Sequence, residues 1–215
     1  MFIEVVDAFR CPRPHELTWL VASADRLEDR DILAGELGCP VCGARYPIVD
    51  GVVDFRPAAA RAPASGATAA PVPRDVPDRA LRAAALLGLT EPGGLVVLAG
   101  GWGDAAHEVA ALAEGVHVLA VDPLGVVSSG FGVSVVRAAD TLPMRPESVR
   151  AVALDDAHAA PPFLETSVAA LRPSGRLLVP AGAGIPAGIV ERARDAHEWL
   201  GEKQDLTTLA RAPRL

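Results

Sequence analysis

The chain predicts an α/β fold with a mostly parallel sheet, preceded by a small β-rich module stapled by metal, and three observations carry that reading. Short β-branched runs alternate with helical segments from residue 95 to residue 180, the pattern of a parallel sheet covered by helices. Cys39-Pro-Val-Cys42 sets two thiols on one tight turn, half of a zinc site. Between these regions residues 57–77, rich in proline and alanine, show neither helical nor strand periodicity and read as a linker. The expected units are therefore 1–56, a linker at 57–77, and 78–215.

In the first unit, residues 16–22 and 32–38 read as strands leading around the metal turn, and 48–55 closes with a turn at Asp50-Gly51. Upstream of the two thiols the chain offers Cys11-Pro-Arg-Pro-His15. Imidazole nitrogen and thiolate sulfur both suit tetrahedral zinc, so the expected ligand set is Cys11, His15, Cys39 and Cys42. The alternatives are a redox dithiol and an empty ribbon whose cysteines merely pack. In the linker, prolines favour extended chain and small residues offer nothing to bury. Flanking units on such a segment sit at variable distance, or the segment wraps over the larger one.

After the linker, residues 78–87 carry apolar side chains at helical spacing. Strand-like runs follow at 95–99, 116–122, 133–136, 152–155 and 176–180, with helical segments at 105–113 and 161–171. Only about ten residues separate the second run from the third, fewer than a parallel crossover normally takes, so a stunted crossover is expected there.

Parallel sheets bind ligands at the carboxyl ends of their strands, near the point where strand order reverses. Gly100-Gly-Trp-Gly103 follows the first run, and closely spaced glycines let free N–H groups approach a ligand. Asp122 ends the next run about 20 residues on, the spacing at which a carboxylate meets ribose hydroxyls. Asp140 and Thr141 follow the third run, so three loops are expected to converge on one nucleoside-sized site. Asp155, Asp156 and His158 end the fourth run, and His158 is the one candidate for a catalytic base. His117 lies inside a strand, where packing is its expected role.

From about residue 78 onward, the chain resembles the class I S-adenosylmethionine-dependent methyltransferases, particularly the small-molecule and quinone-type group. Val97-Leu-Ala-Gly-Gly-Trp-Gly103 is similar to their glycine-rich first motif, Leu119-Ala-Val-Asp122 to their ribose-binding strand, and Asp140-Thr-Leu-Pro143 to their adenine-side loop. The run Phe163 to Val179, with Pro173-Ser174-Gly175 at its turn, resembles the helix and fifth strand that follow. The resemblance implies a Rossmann-like sheet and a cofactor held by Gly100, Gly101, Trp102, Gly103, Asp122, Asp140 and Thr141. It also implies a helix near 189–196 and closing antiparallel strands at 198–203 and 206–212. Two positions depart from the family: Ala99 replaces an acid, and Trp102 stands where residues are small, either to stack on ligand or to fill the pocket.

The segment from about 9 to 55, with Cys39-Pro-Val-Cys-Gly43 and Tyr46-Pro-Ile-Val-Asp-Gly51, resembles the small zinc-ribbon proteins that bind and activate methyltransferases acting on tRNA and translation factors. A related ribbon-first arrangement occurs in ribosomal-RNA guanine methyltransferases. The resemblance implies structural zinc and a protein partner reached through the ribbon.

Composition bounds the rest. Half of the 215 residues are hydrophobic, enough for a substantial core. Apolar stretches stop well short of the roughly 20 residues a membrane span requires. The acidic start and three cysteines point to the cytoplasm. Net charge is −7, and Lys203 is the only lysine, so no basic block exists to neutralise a nucleic-acid backbone. A small molecule or a protein is the expected methyl acceptor. Two function classes remain: methyl transfer from S-adenosylmethionine, or a catalytically inactive methyltransferase-like protein that assembles with a partner.

Overall fold

Most strands carry Val, Ile or Leu, and several stop at glycine, proline or aspartate, as at Gly38, Asp54 and Pro180. The computed structural model describes residues 1–61 and 75–205. A 3-10 segment, Ile3–Ala8, opens the chain, followed by the antiparallel strands β1 (Val21–Glu28), β2 (Asp31–Gly38), β3 (Arg45–Val49) and β4 (Val52–Asp54). Helix α1 (Val76–Leu87) starts with proline in its first turn, where a missing N–H costs nothing, and stops at Gly88, left-handed at φ +65°. Next come β5 (Leu95–Ala99), a 3-10 turn over Gly100–Ala105, α2 (Ala106–Leu112), β6 (His117–Val121), β7 (Val133–Arg137) and β8 (Val149–Ala153). Helix α3 (Phe163–Ala170), β9 (Leu171–Pro180), β10 (Ile189–Arg194) and β11 (Glu198–Lys203) complete the described elements.

The eleven strands among the described residues form one sheet, in the order β1-β2-β3-β4-β7-β6-β5-β8-β9-β11-β10. From β4 to β9 every neighbouring pair is parallel. Antiparallel strands flank that block, β3 to β1 on one side and β11 with β10 on the other. Strand order reverses between β5 and β8, a Rossmann-like switch point.

Successive strand residues face opposite sides. Val96, Leu98, Val118, Ala120, Val133 and Val135 pack under α1 and α2, whereas Val97, Ala99, Leu119, Val121 and Val136 face the other layer. That second layer contains α3, but also Met1, Val5, Phe9, Tyr46 and Phe55 from the N-terminal unit. The connection between β7 and β8 carries no helix among the described residues. In its place the N-terminal segment lies against it: Arg10 N–H donates to the Pro143 carbonyl at 2.9 Å, and Arg145 N–H to the Ala8 carbonyl at 2.7 Å. The apolar sheet face that a crossover helix would cover is thus covered by residues 1–10.

The two units therefore do not hang at variable distance on a linker. Strand β4 pairs with β7 in register Val52↔Val135, Val53↔Val136, Asp54↔Arg137. Phe2 stacks on His117 at 4.9 Å, and both Phe2 N–H and the His117 ring bond the buried Ser134 hydroxyl. His117 is a packing residue, and burial holds its pKa down to about 4.

Three expected elements change. Residues 189–194 form β10 and not a helix, because Asp195 accepts from the N–H groups of His197 and Glu198 and turns the chain back onto β11. Strand β8 starts earlier than residue 152, since buried Arg150 is accommodated by the carbonyls of Gly88, Glu91 and Gly93. Strand β1 starts at Val21, later than residue 16, beyond a loop that carries His15. The stunted crossover between β6 and β7 carries no helix among the described residues. The strand expected at 206–212 lies outside the described residues.

Candidate functional site

The metal centre is assembled by two loops. Cys39-Pro-Val-Cys42 turns between β2 and β3, closed by Gly43 N–H on the Cys39 carbonyl at 3.0 Å, with Gly43 left-handed at φ +67°. Cys11 and His15 come from the loop before β1, and all four ligand atoms lie within 4.8 Å of one another. A tetrahedron with metal–sulfur bonds of about 2.3 Å and metal–nitrogen bonds of about 2.0 Å has edges of about 3.8 Å between sulfurs and about 3.5 Å from sulfur to nitrogen. Two of the six edges are 3.7 Å, for Cys11 Sγ to Cys42 Sγ, and 3.5 Å, for Cys39 Sγ to His15 Nε2. The set fits zinc.

Its surroundings fix the ligands. His15 Nδ1–H donates to the Glu16 carbonyl at 2.6 Å, which leaves Nε2 as the ligand nitrogen. The Tyr46 hydroxyl lies 3.3 Å from Cys11 Sγ and donates to it once the sulfur is a thiolate. Burial pushes the Cys39 thiol up, but the amides of Cys42 and Val41 outweigh it and hold the thiol near 7. Four protein ligands leave no open position, so the centre is structural.

The second candidate lies at the carboxyl ends of β5, β6 and β8. Gly101 N–H donates to Asp155 Oδ2 at 3.0 Å. His158 Nδ1–H donates to Asp155 Oδ1 at 2.6 Å, and His158 Nε2 lies 3.6 Å from Asp122 Oδ2. Asp122, left-handed at φ +46°, also accepts from Ala138 N–H at 3.1 Å. The glycine loop, Asp122 and His158 are thus brought together, with Asp155 as the link between them, while the third loop expected here, with Asp140 and Thr141, is not part of this cluster. A Cβ on Gly100 would lie 1.7 Å from Asp155 Oδ2, so this carboxylate fills the space that the glycine leaves.

Burial works against a charge on His158, but the two carboxylates outweigh it and raise its pKa to about 9. At neutral pH it is an imidazolium with both N–H groups directed at carboxylates, a donor and not a base. Trp102 packs against the apolar cluster under α1 and α2. Buried Ala99 supplies no carboxylate.

Asp140 and Thr141 line a different cleft, against the ribbon, together with Arg13, Arg45, Arg56 and Arg61. Nothing in the sequence groups those four arginines or sets Tyr46 beside the metal, since they come together only through the fold. For Asp155 a signal was present: an acid ending a strand at the switch point.

Comparisons with known proteins bear on each half. Residues 9–51 match the family model of Trm112p-like proteins. No curated protein matches the chain. Among solved structures, phosphoethanolamine N-methyltransferase 2 of Haemonchus contortus, with phosphomonomethylethanolamine and S-adenosylhomocysteine, shows 19% identity over 47% of this chain and 27% of its own, TM-score 0.39. Geranyl diphosphate methyltransferase with S-adenosylmethionine shows 20% identity over 48% of each chain, TM-score 0.39. A methyltransferase of Aquifex aeolicus shows 14% identity over 59% of this chain and 97% of its own, TM-score 0.37. The chain spans 27% and 48% of the length of the first two. The fold assignment rests on the strand order and not on these scores. No helix among the described residues is long and apolar enough to cross a membrane.

Proposed function

We propose that the α/β unit takes S-adenosylmethionine at its strand ends for methyl transfer, and that the ribbon serves the same chain. One observation carries the reading: Gly101 N–H, the Asp122 carboxylate and the Asp155–His158 pair meet at the switch point between β5 and β8. The backbone of Gly100 to Gly103 and the Asp122 carboxylate are the groups that would hold the cofactor. Bound there, it supplies an electrophilic methyl on a sulfonium.

The chain's part is then to hold and align, which can supply most of the acceleration of a direct displacement. Asp155 must release Gly101 N–H, and His158 must turn from Asp122, before a ribose meets that carboxylate. As an imidazolium, His158 anchors carboxylates and takes no proton at neutral pH. An apolar cleft of about 520 Å³ lined by Ala159, Pro161, Leu164, Val168, Ile185 and Pro186 adjoins the His158 loop and suits an apolar acceptor.

The ribbon resembles modules that bind methyltransferases, and here β4 is spent on β7 of its own chain. Its partner in this reading is the following unit in cis. The division into 1–56 and 78–215, joined by 57–77, belongs to the same proposal.

A second reading has its own support. The Asp155–His158–Asp122 contacts satisfy the nucleoside-site groups internally, and Ala99 removes the acid expected in the first motif. That combination suits a non-catalytic assembly protein. Calorimetric titration of folded, zinc-loaded protein separates the two. The first reading predicts saturable heat with S-adenosylmethionine and S-adenosylhomocysteine, weakened in Asp122→Ala by about 1.5–3 kcal/mol, the scale of a hydrogen bond to a charged group. No heat from either ligand at about 1 mM, where a Kd is worth only about 4 kcal/mol, selects the second reading.

A further inference from the structure

Where the ribbon meets the α/β unit lies a cleft of about 330 Å³, at the lower end of the range for ligand sites, about 300–1,000 Å³. Arg13, Arg45, Arg56 and Arg61 line it, against one carboxylate, Asp140. This concentration of guanidinium groups sits on a chain of net charge −7.

The arginines are not equally committed. Arg56 spends Nε and Nη2 on Asp54, at 3.0 and 2.8 Å, which fixes its plane and leaves Nη1. Arg45 pairs with Glu36. Arg61 donates only to carbonyls, Nε to Arg56 at 2.9 Å and Nη2 to Arg45 at 3.3 Å. Among the described residues neither Arg13 nor Arg61 forms an ion pair. The following stretch, residues 62–74, contains no acidic residue.

We propose that this cleft binds the phosphate or diphosphate group of a small phosphorylated ligand, through Arg13, Arg61 and the free Nη1 of Arg56. Guanidinium groups match phosphate oxygens in geometry, and groups already tethered lose less freedom on binding. Asp54 and Glu36 answer Arg56 and Arg45, which leaves Arg13 and Arg61 facing Asp140 alone among the described residues, whereas a diphosphate brings several acceptor oxygens. The bounded cleft, the Asp140 carboxylate and the acidic chain favour a small anion over a long polyanion. The site is independent of the cofactor reading, since its occupant can be measured with no cofactor present.

The probe is inorganic pyrophosphate, titrated calorimetrically into the full zinc-loaded chain at low ionic strength. We expect one saturable site with a Kd on the order of 10–100 μM. Arg13→Gln and Arg61→Gln should each weaken it about tenfold, while Arg172→Gln, on β9 and away from the cleft, should leave it unchanged. Circular dichroism confirms that each variant is folded. No saturable binding at about 5 mM pyrophosphate, or an affinity that ignores both arginines, overturns the proposal. So does a short single-stranded RNA that binds more tightly than pyrophosphate through the same arginines, which would make the site a nucleic-acid groove.

Discussion

His158 is the residue on which the strand-end site turns. It is held at 2.6 Å from Asp155 and 3.6 Å from Asp122, and its pKa is raised from the ordinary 6.5 to about 9. A histidine whose folded value is raised contributes stability that is fully present below about pH 6.5 and is lost as the pH rises through 9. Denaturant unfolding should therefore show native protein more stable than His158→Gln at pH 6, with the gap narrowing by pH 9.5. A His158 imidazole resonance that titrates near 6.5 would contradict this. The metal ligands were legible in sequence because a C-x-x-C on a tight turn needs no tertiary information to read. The contact of Gly101 N–H with Asp155 was not: the two are 54 positions apart, and only the pairing of β5 with β8 brings them together. Sequence offered His158 as a base, whereas two carboxylates make it a donor.

The element that decides the architecture is β4, three residues long. A strand that short carries almost no periodic signal, so its parallel pairing with β7 was invisible in sequence, while β5, β6 and β7 stood out as runs of Val, Leu and Ala. Strand β10 was missed for a different reason. Glu191-Arg-Ala-Arg194 is built from good helix formers, and pairing with β11 overrides that propensity. The connection of metal to sheet gives a prediction at this scale. Zinc binding is folding free energy for the ribbon, and the ribbon holds β4 against β7. Cys39→Ser should bind much less than one zinc per chain and melt roughly 10 °C lower, at about 2–4 °C per kcal/mol. In hydrogen exchange the Phe55 amide, which donates to the Arg137 carbonyl at 2.8 Å, should be protected with zinc and exchange at least about tenfold faster after chelation. Unchanged protection would mean that β4 docks without the metal.

At the scale of the whole molecule, one sheet runs through both units, and residues 1–10 cover the face that the helix-free connection between β7 and β8 leaves open. The α/β unit is therefore built to fold with its ribbon, which places the strand-end site, the metal and the arginine cleft on one continuous framework. In the proposed function Gly101 and Asp122 receive a nucleoside once Asp155 releases the Gly101 N–H and His158 turns from Asp122. Amide and imidazole NMR spectra of zinc-loaded protein with added S-adenosylhomocysteine test it directly. Saturable shifts at Gly100, Gly101 and Gly103 are expected, together with a fall of the His158 pKa from about 9 as its contact with Asp122 is lost. Spectra unchanged by the ligand in folded protein, with His158 still titrating near 9, would contradict it.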